Sequence, residues 1–196
     1  WRGDSGHHFG DRETVASRQR ATRWKWPPVT PIGCIFTLVG SPMPEDLKTA
    51  TDLMNLSDDS YRHELVAGVI VAEPLPTHRH DRTRWRLERL LRAHAEAGDL
   101  GEVFGEAGYI LARDPDTVRG PDLSFVSRER LSDFDDTRFY SGAPDLAVEI
   151  LSPSNRRGEI QAKVADYLAA GARMVWVVDP ERKKVTTYRL LLRPHR

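Results

Sequence analysis

From Leu146 to Leu151 the chain reads LAVEIL, apolar at every position but Glu149. A run without apolar/polar alternation is a strand covered on both faces, the kind found inside a mixed or parallel sheet. Such a strand requires packed layers on either side, and it has no natural place for a charge. An ionised carboxylate there is costly unless it is paired, hydrogen-bonded or bound to a cation, and it otherwise shifts its pKa and neutralises. The run leads through a Ser/Pro turn into an amphipathic stretch, so that PDLAVEILSPSNRRGEIQAKVADYL, from Pro144 to Leu168, reads as strand, turn and helix. Glu149 is most economically explained as part of a site.

The 196 residues suffice for one substantial core, and 39% apolar with 30% charged residues is the composition of an ordinary globular chain, neither disordered nor membranous. No apolar run approaches the ~18 residues of a membrane-spanning helix. A lone cysteine, Cys34, cannot form an internal disulfide, which fits a reducing cytoplasm. Formal net charge is zero, so no global field attracts nucleic acid. Charge is nevertheless concentrated locally: HRHDRTRWRLERLLR, from His78 to Arg92, sets six arginines and two histidines against two acids. That segment either attracts phosphates or is a solvated helix face whose arginines pair with Glu88 and other acids.

Residues 1–42 show neither helical nor strand periodicity and are broken by Pro27, Pro28 and Pro31. They are expected to be a poorly ordered or non-native extension, with Met43 as an alternative start and the domain over 43–196. The RLLLRPHR ending is expected to lack a closing element. PEDLKTATDLMNLSDDS predicts a short helix within 44–60, and YRHELVAGVIVAEP predicts a hairpin turning at Ala67-Gly68. Thr77 is a suitable cap for a helix from about His78 to Ala97, ended by Gly98, with Trp85, Leu87, Leu90, Leu91 and His94 as its inward stripe. EVFGEAGYILA, PDLSFVS and PDLAVEILS predict three strands. ARMVWVVDP predicts an apolar strand after the central helix, and the more polar KKVTTYRL an edge strand. The order predicts an α/β (α+β) fold of one mixed sheet with flanking helices.

Asp122 opens the strand PDLSFV and shares a face with Ser124 and Val126, while Glu149 shares one with Ala147 and Leu151. Two carboxylates on neighbouring strands can hold a hard divalent cation such as Mg²⁺, which takes one or two carboxylates and keeps several waters. Lys163 flanks the buried stripe Ile160, Val164, Tyr167 and Leu168 of the following helix. It can lay its methylenes on the core and bring its ammonium to the end of the Glu149 strand.

The blocks TATDLMNLSDDSYRHELVAGVIV, RGPDLSFVSRERL and APDLAVEILSPSNRRGEIQAKVADYLAAGARMVWVVDPERKKVTTYR, with His80 ahead of the arginine-rich helix, resemble the Uma-two family of endonucleases (domain of unknown function 820) in the PD-(D/E)XK nuclease superfamily. The resemblance covers roughly residues 49–189. It implies a restriction-endonuclease-like fold with a central mixed β-sheet flanked by helices, a homodimer, and Mg²⁺-dependent cleavage of nucleic acid, Mn²⁺ being a possible substitute. By position, Asp122 matches the motif aspartate, Glu149 the motif glutamate and Lys163 the motif lysine moved onto the next helix. Glu64 matches a further family acid within reach of a metal. The chain departs from the superfamily pattern at Leu151, where the lysine two residues after the glutamate would stand, and at His63, where the family has tyrosine.

The expected function is that of a metal-dependent endonuclease on DNA, with Asp122 and Glu149 holding Mg²⁺ and Lys163 assisting attack of water on phosphorus. His80, Arg82 and Arg84 are expected to contact the nucleic-acid backbone. One rival is a module of the same fold that binds nucleic acid without cutting it. Another is an interaction protein whose Glu149 is merely salt-bridged.

Overall fold

The computed structural model describes residues 47–56, 61–132 and 137–189. The expectations for residues 1–42 and for the closing residues 190–196 lie outside these. Helix α1 spans Ala50–Met54, shorter than the helix read over 44–60, and is opened by a reciprocal cap between Thr49 and Asp52. Strands β1 (Arg62–Val66) and β2 (Val69–Glu73) form the predicted hairpin. Its two turn residues, Ala67 and Gly68, both have positive φ, the geometry that matches the twist of paired strands. A Cβ at position 68 would lie 2.9 Å from the Leu47 side chain, so glycine is required there twice over.

Helix α2 (His78–Ala97) starts and stops where its caps predict, with Thr77 Oγ accepting from His80 N and Gly98 at its end. Its inward stripe differs from the expectation. His80 and Ala95 are buried, and Leu87 and Leu91 pack on the strand core, whereas Trp85 and Leu90 are each 59% exposed. At 3.6 residues per turn, His80, Leu87, Leu91 and Ala95 form one line, and Trp85 and Leu90 sit more than a quarter turn off it.

The remaining elements are β3 (Gly101–Gly105), β4 (Tyr109–Ala112), β5 (Thr117–Arg119), β6 (Leu123–Ser127), α3 (Arg128–Leu131), β7 (Tyr140–Ser141), β8 (Leu146–Ile150), α4 (Arg157–Ala169), β9 (Met174–Asp179) and β10 (Lys184–Tyr188). EVFGEAGYILA, read as one strand, divides at Glu106, whose φ is positive, into β3 and β4. The short strands β5 and β7 gave no sequence signal.

The strands form two mixed five-stranded sheets. One has the order β2-β1-β5-β4-β7 and is antiparallel except between β4 and β7; the other has the order β10-β9-β8-β6-β3 and is antiparallel except between β8 and β9. The expected mixed-sheet fold with flanking helices is therefore present, with its strands divided between two sheets. β10 is an edge strand, as its polarity predicts, and β8 lies inside, between β6 and β9.

β8 is buried from both sides, as its composition demands. Val148 and Ile150 join Leu123 and Val178 against Leu87 and Leu91 of α2. Ala147 joins Ile160, Val164 and Tyr167 of α4 with Val175 and Val177. Fully burying a valine or isoleucine side chain contributes about 1.5–3 kcal/mol. This two-sided burial fixes β8, and with it the direction of Glu149, which alternation places on the α4 face. Helix α4 packs on β4 of one sheet and on β9 of the other, so its inner face meets side chains from both. Among the described residues no helix is long and apolar enough to cross a membrane.

Candidate active site

Asp122 and Glu149 meet because β6 and β8 run antiparallel with Leu123 opposite Val148. Stepping once outward from that pair sets Asp122 beside Glu149, and opposite residues of an antiparallel pair project to the same side. The connection is closed by a hydrogen bond from Ile150 N to Asp122 Oδ2 at 2.6 Å. Both acids, with Lys163, line a pocket of about 240 Å³ whose other walls include Arg62, Glu73, His80 and Asn155. Asp122, Glu149 and Lys163 are 5%, 4% and 2% exposed, so the pocket has a charged floor beneath a small opening.

Each acid is held through one oxygen. Asp122 Oδ2 also lies 3.1 Å from His80 Nε2, while Oδ1 has only the Arg62 guanidinium, at 3.7 Å. Glu149 Oε1 accepts from the Tyr167 hydroxyl at 2.8 Å, while Oε2 faces Lys163 Nζ at 3.8 Å. Burial pushes the Glu149 carboxyl up to about 7; Lys163 opposes this, and the negative charges of Asp122 and Glu64 add to it. The His80 imidazole is raised as well, because its bond to Asp122 outweighs the burial that would lower it.

Lys163 sits at the junction of the two sheets. Its Nζ lies 2.9 Å from Glu73 Oε1 and 3.1 Å from Glu64 Oε1, as well as facing Glu149. Burial alone would lower its pKa, but these three acids raise it above the ordinary lysine range. The ammonium therefore keeps its proton. It can supply charge to a phosphate, but it is not a proton acceptor.

Glu64 is placed differently from the expectation that it reaches a metal. It does not line the pocket, and both its oxygens are engaged: Oε1 by Gly120 N at 3.1 Å and by Lys163, Oε2 by Arg119 Nη1 at 2.9 Å. Arg119 continues to Asp166 at 2.8 Å. Glu64 is thus the anchor behind Lys163, and its carboxyl is held below the usual range because Lys163 and Arg119 outweigh the burial that would raise it.

The residues expected to touch nucleic acid are not brought together. His80 is largely buried in the pocket wall, where its Nε2 holds Asp122 Oδ2 at 3.1 Å. Arg84 is engaged by Asp81 and Glu88 at 3.1 and 3.3 Å, the self-paired helix face weighed as the alternative. Arg82 is exposed, and neither it nor Arg84 lines the pocket.

Three contributors were not singled out in the sequence: Arg62, Glu73 and Tyr167. Arg62 stands two residues before Glu64 on β1 and so shares its face, which alternation could have indicated. Tyr167 lay on the buried stripe, where a phenol hydroxyl must find a partner. Glu73 carried no distinguishing signal.

Among the described residues no group of three or more His, Cys, Asp or Glu is arranged to hold a metal ion. The candidate donor set is the pair Asp122 and Glu149, each with one oxygen that receives no hydrogen bond from the described residues. Two hard carboxylate oxygens in a pocket with room for several waters fit a cation that keeps most of its own water.

Residues 50–195 match the Uma2 family, whose description is "Putative restriction endonuclease". The chain belongs to the Uma2 family. Among solved structures it is similar to a crystal structure described as a putative nuclease belonging to DUF820 from Anabaena variabilis. The identity is 21% and the TM-score 0.64, over 74% of this chain and 81% of that one. This likeness establishes a shared fold. None of the curated proteins matches the chain. Within the Uma2 frame, the motif positions named from the sequence, Asp122, Glu149 and Lys163, line one pocket of this fold.

Proposed function

We propose that this Uma2 protein is a metal-dependent endonuclease that hydrolyses phosphodiester bonds in DNA. The single observation that carries the reading is the convergence of Asp122, Glu149 and Lys163 on one small, charged pocket. Asp122 and Glu149 would hold Mg²⁺, with Mn²⁺ as a substitute. Such an ion supplies an acidified water and neutralises charge on the scissile phosphate.

The chain's own residues account for the rest. The Lys163 ammonium and the Arg62 guanidinium meet the phosphate's negative charge, which grows as water adds to phosphorus. His80 and the amide of Ile150 keep Asp122 turned into the pocket, and Tyr167 does the same for Glu149. Glu64, Glu73 and Arg119 hold Lys163 in place and keep it charged. Leu151, standing where the superfamily lysine would be, is compensated by Lys163 arriving from α4.

Nicking of supercoiled plasmid in Mg²⁺ or Mn²⁺ tests this. The full chain is expected to nick, and Asp122→Ala and Glu149→Ala are expected to abolish nicking while retaining the fold by circular dichroism. Equal nicking by both variants overturns the assignment. The non-cutting reading draws on the proximity of Arg62 to Asp122, a cation where an ion would bind. It predicts retardation of DNA without cleavage in either metal.

A further inference from the structure

Beside the catalytic pocket runs a larger groove of about 860 Å³. It is bounded by the start of α2, by the turn from β8 into α4, and by β9 and β10. The two spaces adjoin, and His80, Ser152 and Asn155 line both. The shared rim is a built turn: Asn155 Oδ1 accepts from Ser152 N at 2.7 Å, and Asn155 N donates to Ser152 O at 3.1 Å.

The groove's charges do not cancel. Its two acids are already paired, Asp179 with Arg182 at 2.9 Å and Glu181 with Arg79 at 3.5 Å. Arg156 and Arg157 remain, both exposed, and neither guanidinium has a carboxylate partner among the described residues. They stand immediately after the rim turn, next to the pocket. Thr186 and Tyr188, on one face of the edge strand β10, also line the groove, and Tyr188 is 37% exposed. A basic groove that tracks a backbone, with an aromatic ring for a base to stack on, is how proteins hold an unpaired strand. A base inside a duplex has both faces covered by its stacked neighbours and none to offer that ring.

We propose that this groove holds a single-stranded segment of the substrate flanking the scissile phosphate, with Arg156 and Arg157 on its phosphates and Tyr188 stacked on a base. The inference rests on the nuclease reading and narrows its substrate to DNA with an unpaired stretch at the cleavage point. It moves backbone recognition from α2 to the start of α4 and to β10.

The test is binding without turnover. A fluorescein-labelled oligothymidylate and its duplex with oligoadenylate are titrated with the full chain in EDTA at several salt concentrations, and affinity is read by anisotropy. The single strand is expected to bind at least several-fold more tightly than the duplex. Arg156→Ala/Arg157→Ala should weaken single-strand binding and reduce the log-log salt slope by roughly 1.4, two phosphate contacts at about 0.7 each. The double lysine variant should restore the slope. Tyr188→Ala should lower affinity about 5-fold or more with the salt slope unchanged, since stacking releases no counterions. An unchanged thermal midpoint confirms that each variant folds.

Equal or tighter binding of the duplex, or a salt slope unmoved by the double alanine variant, overturns the proposal. If that occurs while Asp122→Ala still abolishes cleavage, the groove assignment fails and the nuclease reading stands. If the single strand binds as expected but neither metal supports cleavage, the nuclease reading fails and the groove assignment survives as a binding site.

Discussion

Lys163 on α4 and Glu73 at the end of β2 form an ion pair of 2.9 Å with both side chains largely out of water, 3% and 13% exposed. The same ammonium meets Glu64 at 3.1 Å, so one cation serves acids on two strands of one sheet while facing Glu149 on the other. Removing it leaves buried negative charge without compensation. Lys163→Met is expected to destabilise the protein by about 3–5 kcal/mol, the usual cost of breaking a buried pair from one side. Urea unfolding at pH 7 measures this, and a loss below about 1 kcal/mol would mean that the acids find other partners.

Glu64 sets the acid limit. Its folded pKa is depressed, so its contribution to stability is fully present above the ordinary glutamate range and is lost as pH falls through the folded value. Wild-type stability should therefore decline as pH drops below about 4.5. Glu64→Gln should be less stable at pH 7 but show a shallower decline in acid. Parallel acid limbs for the two proteins in urea titrations would remove Glu64 from this role.

Glu149 has the opposite sign. Its carboxyl is raised from 4.5 to about 7, so the folded state favours the protonated form, and stability falls as pH rises through this interval. Without divalent ions Glu149→Gln should be more stable than wild type at pH 8, by no more than about 3 kcal/mol at 1.36 kcal/mol per unit. Mg²⁺ should raise the melting temperature of wild type at pH 8 and leave that of Glu149→Gln unmoved, because only a ligand of the native state stabilises it. Equal Mg²⁺ shifts in the two proteins would place the ion elsewhere.

His80 acts through Asp122. Replacing it by alanine removes the 3.1 Å contact that turns the carboxylate inward, and outer-shell partners of this kind typically contribute 10- to 100-fold to metal affinity or activity. His80→Ala is expected to raise the Mg²⁺ concentration needed for half-maximal nicking by about that factor, with His80→Asn recovering part of it. An unchanged metal dependence would reduce His80 to a packing residue.

Much of this was legible in the chain because it rested on local rules. The Thr77 and Gly98 caps delimited α2, the Ala67-Gly68 turn placed the first hairpin, and the unbroken apolar run around Glu149 identified an interior strand. The pocket partners were harder. Glu64 and Lys163 are 99 residues apart, and nothing near either one in sequence says that they touch. Trp85 and Leu90 are as apolar as the residues of the α2 stripe, and only the helix's rotation carries them out to solvent. EVFGEAGYILA divides between two sheets at the positive-φ residue Glu106, and the glycines on either side of the break, Gly105 and Gly108, were its only mark in composition.

The span between Glu64 and Lys163 also bears on how the molecule is made. A chain emerging in order exposes β1 and β2 long before α4 exists, so Glu64 and Glu73 must wait in water for the lysine that later neutralises them. Loop closure on that scale comes late, after local hairpins and helices have formed. A pocket that needs Lys163 therefore cannot be complete until α4 has been made and has packed against β1 and β2.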